Sequence, residues 1–270
     1  MAYTMFELIY GETFDEYANR RGMNATVLKA GRVSMKQMRH EALHGKETTK
    51  SLAFGRIAHA AVLENGLSKD AFAVWDGGRK AGKAFDAFEA SAIADGKTVI
   101  TSDERDELTA IVSAVHSLPL AHQIIEETHH EVTCVWDEAL GPSKCRWDGL
   151  SPEWALEWKT TTKTTPREFE AQAYTLGYHI GAAHYMAGAK ACDLSPQYRI
   201  ISTQSKPPFD TVVWMVDEYL LECAMKERER IWREYIECCK TGLYTGHGDE
   251  VHILAMPSWA MELNELNMEE

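Results

Sequence analysis

Basic residues are scarce in this chain. Its 28 Lys and Arg face 41 Asp and Glu, a formal net charge of −13. That balance counts against a simple nucleic-acid-binding module, which carries a basic footprint on one face. Long hydrophobic runs are lacking too: no apolar stretch approaches the roughly 20 residues of a membrane span, so no membrane partner is expected. The opening MAYTMFELIYGETFDEY has acids and no basic segment ahead of an apolar run, so it does not read as a secretion signal. The six cysteines, Cys134, Cys145, Cys192, Cys223, Cys238 and Cys239, form no C-x-x-C pair. This spacing argues against a zinc or iron–sulfur site and leaves reduced thiols in a cytoplasmic protein as the expectation. Repeats, low-complexity tracts and linkers are also missing, so residues 1–270 read as a single domain. Its 45% hydrophobic content is enough for a sizeable core.

What is present alternates between helical and strand patterns. Helices are expected over 24–44, 51–64, 82–94, 102–117 and 119–125. Strands follow at 130–136, 144–148 and 154–160; a helix starts at Pro166 and runs on through 169–187. Two more strands, 197–204 and 209–216, form a hairpin, and a long charged helix covers 217–240. Residues 257–259, Pro-Ser-Trp, read as an ordered patch near the acidic end, and residues 1–23 show no clear pattern. The division is thus a mainly helical part (1–127), a sheet core (128–216), and a C-terminal helix and tail (217–270), an α/β (α+β) arrangement with a mixed sheet flanked by helices.

The chemistry concentrates in KCRWDGLSPEWALEWKTTT, residues 144–162. Ser151, Pro152 and Glu153 make the turn of a hairpin. With the turn centred between Pro152 and Glu153, Asp148 faces Glu157 and Arg146 faces Lys159. Side chains alternate along a strand, so Glu157 and Lys159 share one face while Leu156 and Trp158 share the other. Like charges opposed across a sheet are destabilising, so two facing carboxylates call for a cation between them. A hard divalent ion such as Mg²⁺ takes carboxylate oxygens, and a lysine two residues on stabilises developing charge or helps activate a water.

Other candidates lie around this hairpin. Glu131 on the 130–136 strand is a further candidate acid, weighed against a solvated strand end. Gly55 and His59 share a face of the small-residue helix 51–64, where a lone histidine is more often a satisfied core residue. Lys29, Arg32, Lys36, Arg39 and Lys46, and the glycine-flanked Arg79, Lys80 and Lys83, are either solvated charge or contacts to a DNA backbone.

Asp148 followed by Glu157-Trp158-Lys159 resembles the PD-(D/E)xK nuclease superfamily, whose core is a restriction-endonuclease-like mixed sheet. Further segments resemble RecE/lambda-type exonucleases in the same order. These are the G-x-x-x-H of Gly55 and His59, the R-K-A-G-K of Arg79 to Lys83, which resembles the family's R-x-x-x-G-K with one residue fewer, and a glutamate-opened strand at Glu131. Last comes the GYHxQAAxY pattern, met by Tyr178, Ala182, Ala183 and Tyr185. The resemblance implies that Asp148, Glu157 and His59 hold Mg²⁺ (Mn²⁺ also fits), that Lys159 is catalytic, and that Glu131 and Tyr178 join the site. It implies 5′→3′ digestion of double-stranded DNA ends for a single-strand annealing recombinase in phage-type recombination, by a ring-shaped homo-oligomer. Gly181 stands where the family has glutamine, which leaves Gln172 or His184 as substitutes, or a weakened activity. Two rival readings are an endonuclease of the same superfamily, for restriction or repair, and a catalytically decayed DNA-binding or structural protein that keeps the fold.

Overall fold

The computed structural model describes residues 6–45, 49–63, 67, 71–163, 165–248, 251, 253 and 255. In chain order the elements are β1 (Phe6–Ile9), α1 (Phe14–Asn19), α2 (Ala25–Gly31), α3 (Met35–His44), α4 (Lys50–Leu63), β2 (Phe72–Trp75), α5 (Lys83–Ala94) and β3 (Thr98–Thr101). There follow α6 (Ser102–Ser117), α7 (Pro119–Glu126), β4 (His129–Glu138), β5 (Gly141–Leu150), β6 (Trp154–Thr161), α8 (Pro166–Thr175), α9 (Tyr178–Ala191), β7 (Gln197–Gln204), β8 (Thr211–Met215) and α10 (Glu218–Thr241).

Six strands form one mixed sheet in the order β1-β4-β5-β6-β7-β8, and β2 and β3 form a separate parallel pair. Only the β6–β7 pairing in the large sheet is parallel; it runs from Trp154↔Gln197 to Thr161↔Gln204. Parallel neighbours need a long crossover, here supplied by α8 and α9. The crossover is well signalled: Thr165 caps α8 in a reciprocal capping box with Glu168, and Pro166 opens the first turn.

Both faces of the sheet are covered, which explains the near-continuous burial of β5 and β6. On one face α4, α6 and α7 place Ala58, Ala61, Leu108, Ile111 and Ile124 against Leu156, Trp158 and Ile201. On the other, Ala182 and Ala189 of α9 pack on Val132, Trp147 and Ile200. Helices α2, α3 and α10 then close over α9, with Leu28, Met38, Ile231 and Trp232 against Ile180 and Ala183. A helix sandwiched in this way must be apolar nearly all round, and the buried run from His179 to His184 satisfies that.

Three expectations change. The helix expected over 24–44 is two helices: Asn24 caps α2 by accepting from Val27 N at 3.0 Å, and Ser34 caps α3 by accepting from Gln37 N at 3.0 Å. The break folds α3 back on α2, and a Cβ on Gly31 would fall 2.7 Å from Met38 Sδ. The helix from Pro166 through 187 breaks at Gly177, whose φ of 70° is left-handed. Residues 1–23, without clear pattern in sequence, contribute β1 and α1 from Phe6 onward, and β2 was likewise not foreseen. The patch at 257–259, Lys46 and Glu64 lie outside the described residues.

Candidate active site

The hairpin closes as its sequence requires. Ser151 N donates to Trp154 O at 2.8 Å across Pro152 and Glu153. The ladder continues through Leu150↔Ala155 and Gly149↔Leu156 and then stops. The next step of that register opposes Asp148 to Glu157, but the strands part there. Asp148 Oδ2 instead accepts from Trp158 N at 2.7 Å. Released from β5, the rest of β6 takes its strand partner from β7 alone. The gap holds the charged side chains. Leu156 and Trp158 turn into the core under α4 and α6, and Trp158 Nε1 donates to Thr203 Oγ1 at 3.2 Å.

A second irregularity sits opposite the first. The β4–β5 register runs from His129↔Leu150 to Glu138↔Gly141 and skips only Glu131 and Asp148. Glu131 has a φ of 56°, a conformation that costs a non-glycine residue about 1–3 kcal/mol. Its carboxylate is engaged on both oxygens: Oε1 meets His59 Nδ1 at 3.0 Å, and Oε2 meets Arg146 Nη1 at 2.9 Å.

The result is a line of alternating charge. Lys159 Nζ lies 2.5 Å from Glu157 Oε1 and 3.9 Å from Asp148 Oδ2, and it donates to the Trp158 carbonyl at 3.1 Å. Asp148 Oδ1 meets His59 Nε2 at 3.0 Å. Arg146 ends the line by donating from Nη2 to the Glu12 carbonyl at 3.0 Å. Burial of such groups is tolerated only when each charge is paired, and the pairing sets the protonation states. Burial pushes the His59 imidazolium down, but the Asp148 charge and hydrogen bonds to Asp148 and Glu131 outweigh it and raise the ring to about 10. Burial pushes the Asp148 carboxyl up, yet the His59 and Lys159 charges hold it well below the usual carboxylate range. Lys159 is raised, because Glu157 and Asp148 overcome its desolvation.

Sequence-expected residues thus meet in one place: Asp148, Glu157, Lys159, His59 and Glu131. Tyr178, the first residue of α9, is within electrostatic reach of Lys159 and Glu157. Arg79, Lys80 and Lys83 are not in the line. Arg79 and Lys80 lie between β2 and α5 and Lys83 opens α5; Lys80 Nζ pairs with Glu104 Oε2 at 2.6 Å. Arg146 turns to Glu131 and not toward Lys159. His184 faces away, receiving Arg228 Nε on Nδ1 and bonding the Lys144 carbonyl through Nε2, each at 3.0 Å. Gln172 stays close to β6, where its Oε1 accepts from Thr161 Oγ1 at 2.8 Å. Gly181 admits Lys29: a Cβ there would lie 2.9 Å from Lys29 Cε and Nζ.

Three participants escaped sequence reasoning. Arg146 shared a face with Asp148 at a spacing of two, which was the available signal. Glu12 and Lys144 offered none. Lys144 Nζ, buried on β5, donates to the carbonyls of Tyr17, Ala18 and Arg20 at 3.0, 2.9 and 2.6 Å. It thereby caps the C-terminus of α1 and pins the N-terminal segment beside the site.

The donor set suits a divalent cation. Glu157 Oε2 is buried without a hydrogen-bond partner, a costly state that a bound cation removes. Asp148 and Glu157 offer hard carboxylate oxygens, and the Trp158 carbonyl lies among them. His59 differs from the expectation that it is a ready ligand. Both of its ring nitrogens are spent on carboxylates, so it joins a metal only by giving up the contact of Nε2 with Asp148.

Residues 26–254 match the family described as PDDEXK-like domain of unknown function (DUF3799). No curated protein matches the chain. Among solved structures it is similar to one described as a putative exonuclease from Eubacterium rectale. The two share 13% sequence identity and a TM-score of 0.62, over 93% of this chain and 97% of that one. That likeness carries the arrangement of sheet and helices.

Proposed function

The chain belongs to the PDDEXK-like domain family, and on that premise we propose that it is a metal-dependent deoxyribonuclease acting at double-stranded DNA ends. The observation that carries the reading is the parted hairpin, with Asp148, Glu157 and Lys159 facing one gap around a buried, unpartnered Glu157 oxygen. The fold neighbour's description as a putative exonuclease favours the end-dependent mode. The order of the RecE/lambda-like segments supports 5′→3′ digestion for a single-strand annealing recombinase, by a ring-shaped homo-oligomer. A ring with a basic lumen also reconciles a net charge of −13 with a DNA substrate.

Asp148, Glu157 and the Trp158 carbonyl would hold Mg²⁺ or Mn²⁺, which when bound polarises the phosphate and lowers the pKa of a bound water. The chain's own groups do the rest. Lys159, kept as an ammonium by its two carboxylates, places positive charge where the phosphate gains negative charge in the transition state. His59 neutralises Asp148 from the other side, and Glu131 and Arg146 hold His59 in place. Leu156 and Trp158 anchor the strand beneath, so the two carboxylates keep their separation.

Purified protein incubated with linear and with closed circular double-stranded DNA, with Mg²⁺ or with EDTA, tests the reading. Mg²⁺-dependent loss of the linear form alone is expected, and Lys159→Ala should slow it by about a hundredfold or more with an unchanged circular dichroism spectrum. Digestion of the circle would make the protein an endonuclease. Undiminished cleavage by Lys159→Ala would remove the site assignment.

A further inference from the structure

We infer that His116, His122 and Glu126 form a second metal site, for a late first-row divalent ion such as Zn²⁺, at the corner between α6 and α7. The two imidazoles meet edge-on, their planes 74° apart, with their Nδ1 atoms 3.1 Å apart. The ligand atoms of all three residues lie within 4.8 Å of one another. Two nitrogens bound to one tetrahedral zinc at about 2.0–2.1 Å stand roughly 3.3 Å apart, so this spacing fits one shared ion. Without an ion, the same geometry requires the two rings to adopt opposite tautomers, one donating and one accepting. With an ion, both Nδ1 atoms would offer it their lone pairs.

The corner holds these groups in place. Leu118 alone is the C-cap of α6 and the N-cap of α7, and Pro119 fixes the next turn. The two helices meet at 93°. Val115, Ala121, Ile124 and Ile125 anchor both sides of the bend in the core. His116 comes from the last turn of α6, and His122 and Glu126 share a face of α7 at a spacing of four. The buried anchors fix the backbone, while His122 and Glu126 stay exposed to a solvent ion.

Donor chemistry separates this site from the one at Asp148. Two imidazole nitrogens and one carboxylate oxygen favour zinc, nickel or copper over magnesium. Three protein ligands leave one position for water. A bound ion would clamp the α6–α7 corner, and the C-cap of α7 touches the candidate catalytic hairpin. Glu127, that C-cap, accepts from Trp154 Nε1 at 2.9 Å where β6 begins.

The test uses the full-length chain carrying Asp148→Asn, held in excess Mg²⁺ so that the carboxylate site does not contribute. Zn²⁺ is titrated calorimetrically, and thermal melts are recorded with and without it. One equivalent of Zn²⁺ should bind and raise Tm. Adding His116→Gln and His122→Gln should weaken binding by more than about tenfold and abolish the shift. The zinc-free melt should stay unchanged, which shows that the fold is intact. Zn²⁺ binding that survives the double substitution, or no Zn²⁺ binding by the Asp148→Asn protein, would overturn the assignment. Neither result depends on DNA cleavage.

Discussion

Mild acid should destabilise the protein through one buried imidazole. His184 is fully buried on α9, accepts from Arg228 Nε on Nδ1, and bonds the Lys144 carbonyl through Nε2. A guanidinium always donates, so Nδ1 must keep its lone pair and the ring must stay neutral. Arg228 is itself fixed by Glu138, whose Oε2 lies 3.1 Å from Nη1. Burial, with the Arg228 charge second, lowers the His184 pKa from the usual 6.5 to about 3. The unfolded chain binds a proton as pH drops below 6.5 and the folded chain does not, so stability falls with pH. Each pH unit is worth about 1.4 kcal/mol, or about 2 kcal/mol between pH 6.5 and about pH 5. His59 has the opposite sign: its raised pKa adds stability that is whole below 6.5 and is lost as pH climbs toward about 10. Urea unfolding of the wild type and of His184→Asn across this range, in EDTA, separates the two, since subtraction cancels every other group. The asparagine oxygen keeps an acceptor for Arg228. The wild-type curve should fall by about 2 kcal/mol more than the variant's. Parallel curves between pH 6.5 and about pH 5 would refute a neutral, buried His184.

Other outcomes follow from single contacts. Gly177→Ala forces a side chain into a φ of 70° and toward Lys29 Cγ at 3.3 Å, and should cost about 1–2 kcal/mol in chemical denaturation. Arg146→Met leaves Glu131 paired only with His59; cleavage of linear DNA should drop by about ten- to a hundredfold, and the Tm should fall because a largely buried carboxylate loses one of its two cations. Leu156→Ala empties a fully buried position between the sheet and α4 and should lower unfolding free energy by about 2–5 kcal/mol.

The centre of the molecule was legible because local rules and tertiary structure agree there. The Ser151–Trp154 turn fixed the register, and period-two alternation then divided the charged face of β6 from its apolar face. The mixed sheet and the β7–β8 hairpin followed from the same pattern. Legibility failed where long-range contacts override local preference. Residues 24–44 and 166–187 are both helical in pattern, yet Met38 packing on Gly31 and the Lys29 and Arg32 side chains crossing Gly177 require chain breaks. The left-handed Glu131 has no sequence signature, because its conformation is imposed by His59 and Arg146 from either side. Strand β1 and helix α1 span four and six residues, too few for a periodicity to show.

The clamp of Lys144 on α1 also bears on the order in which the protein can assemble during synthesis. An isolated helix of six residues does not persist in water, so α1 must wait on the ribosome for an ammonium group encoded more than a hundred residues later. Strand β6 waits longer, because beyond Leu156 its strand partner is β7, which ends at Gln204. A nascent chain therefore carries Asp148, Glu157 and Lys159 well before it can arrange them. The charged cluster of β6 is complete only when β7 has also left the exit tunnel.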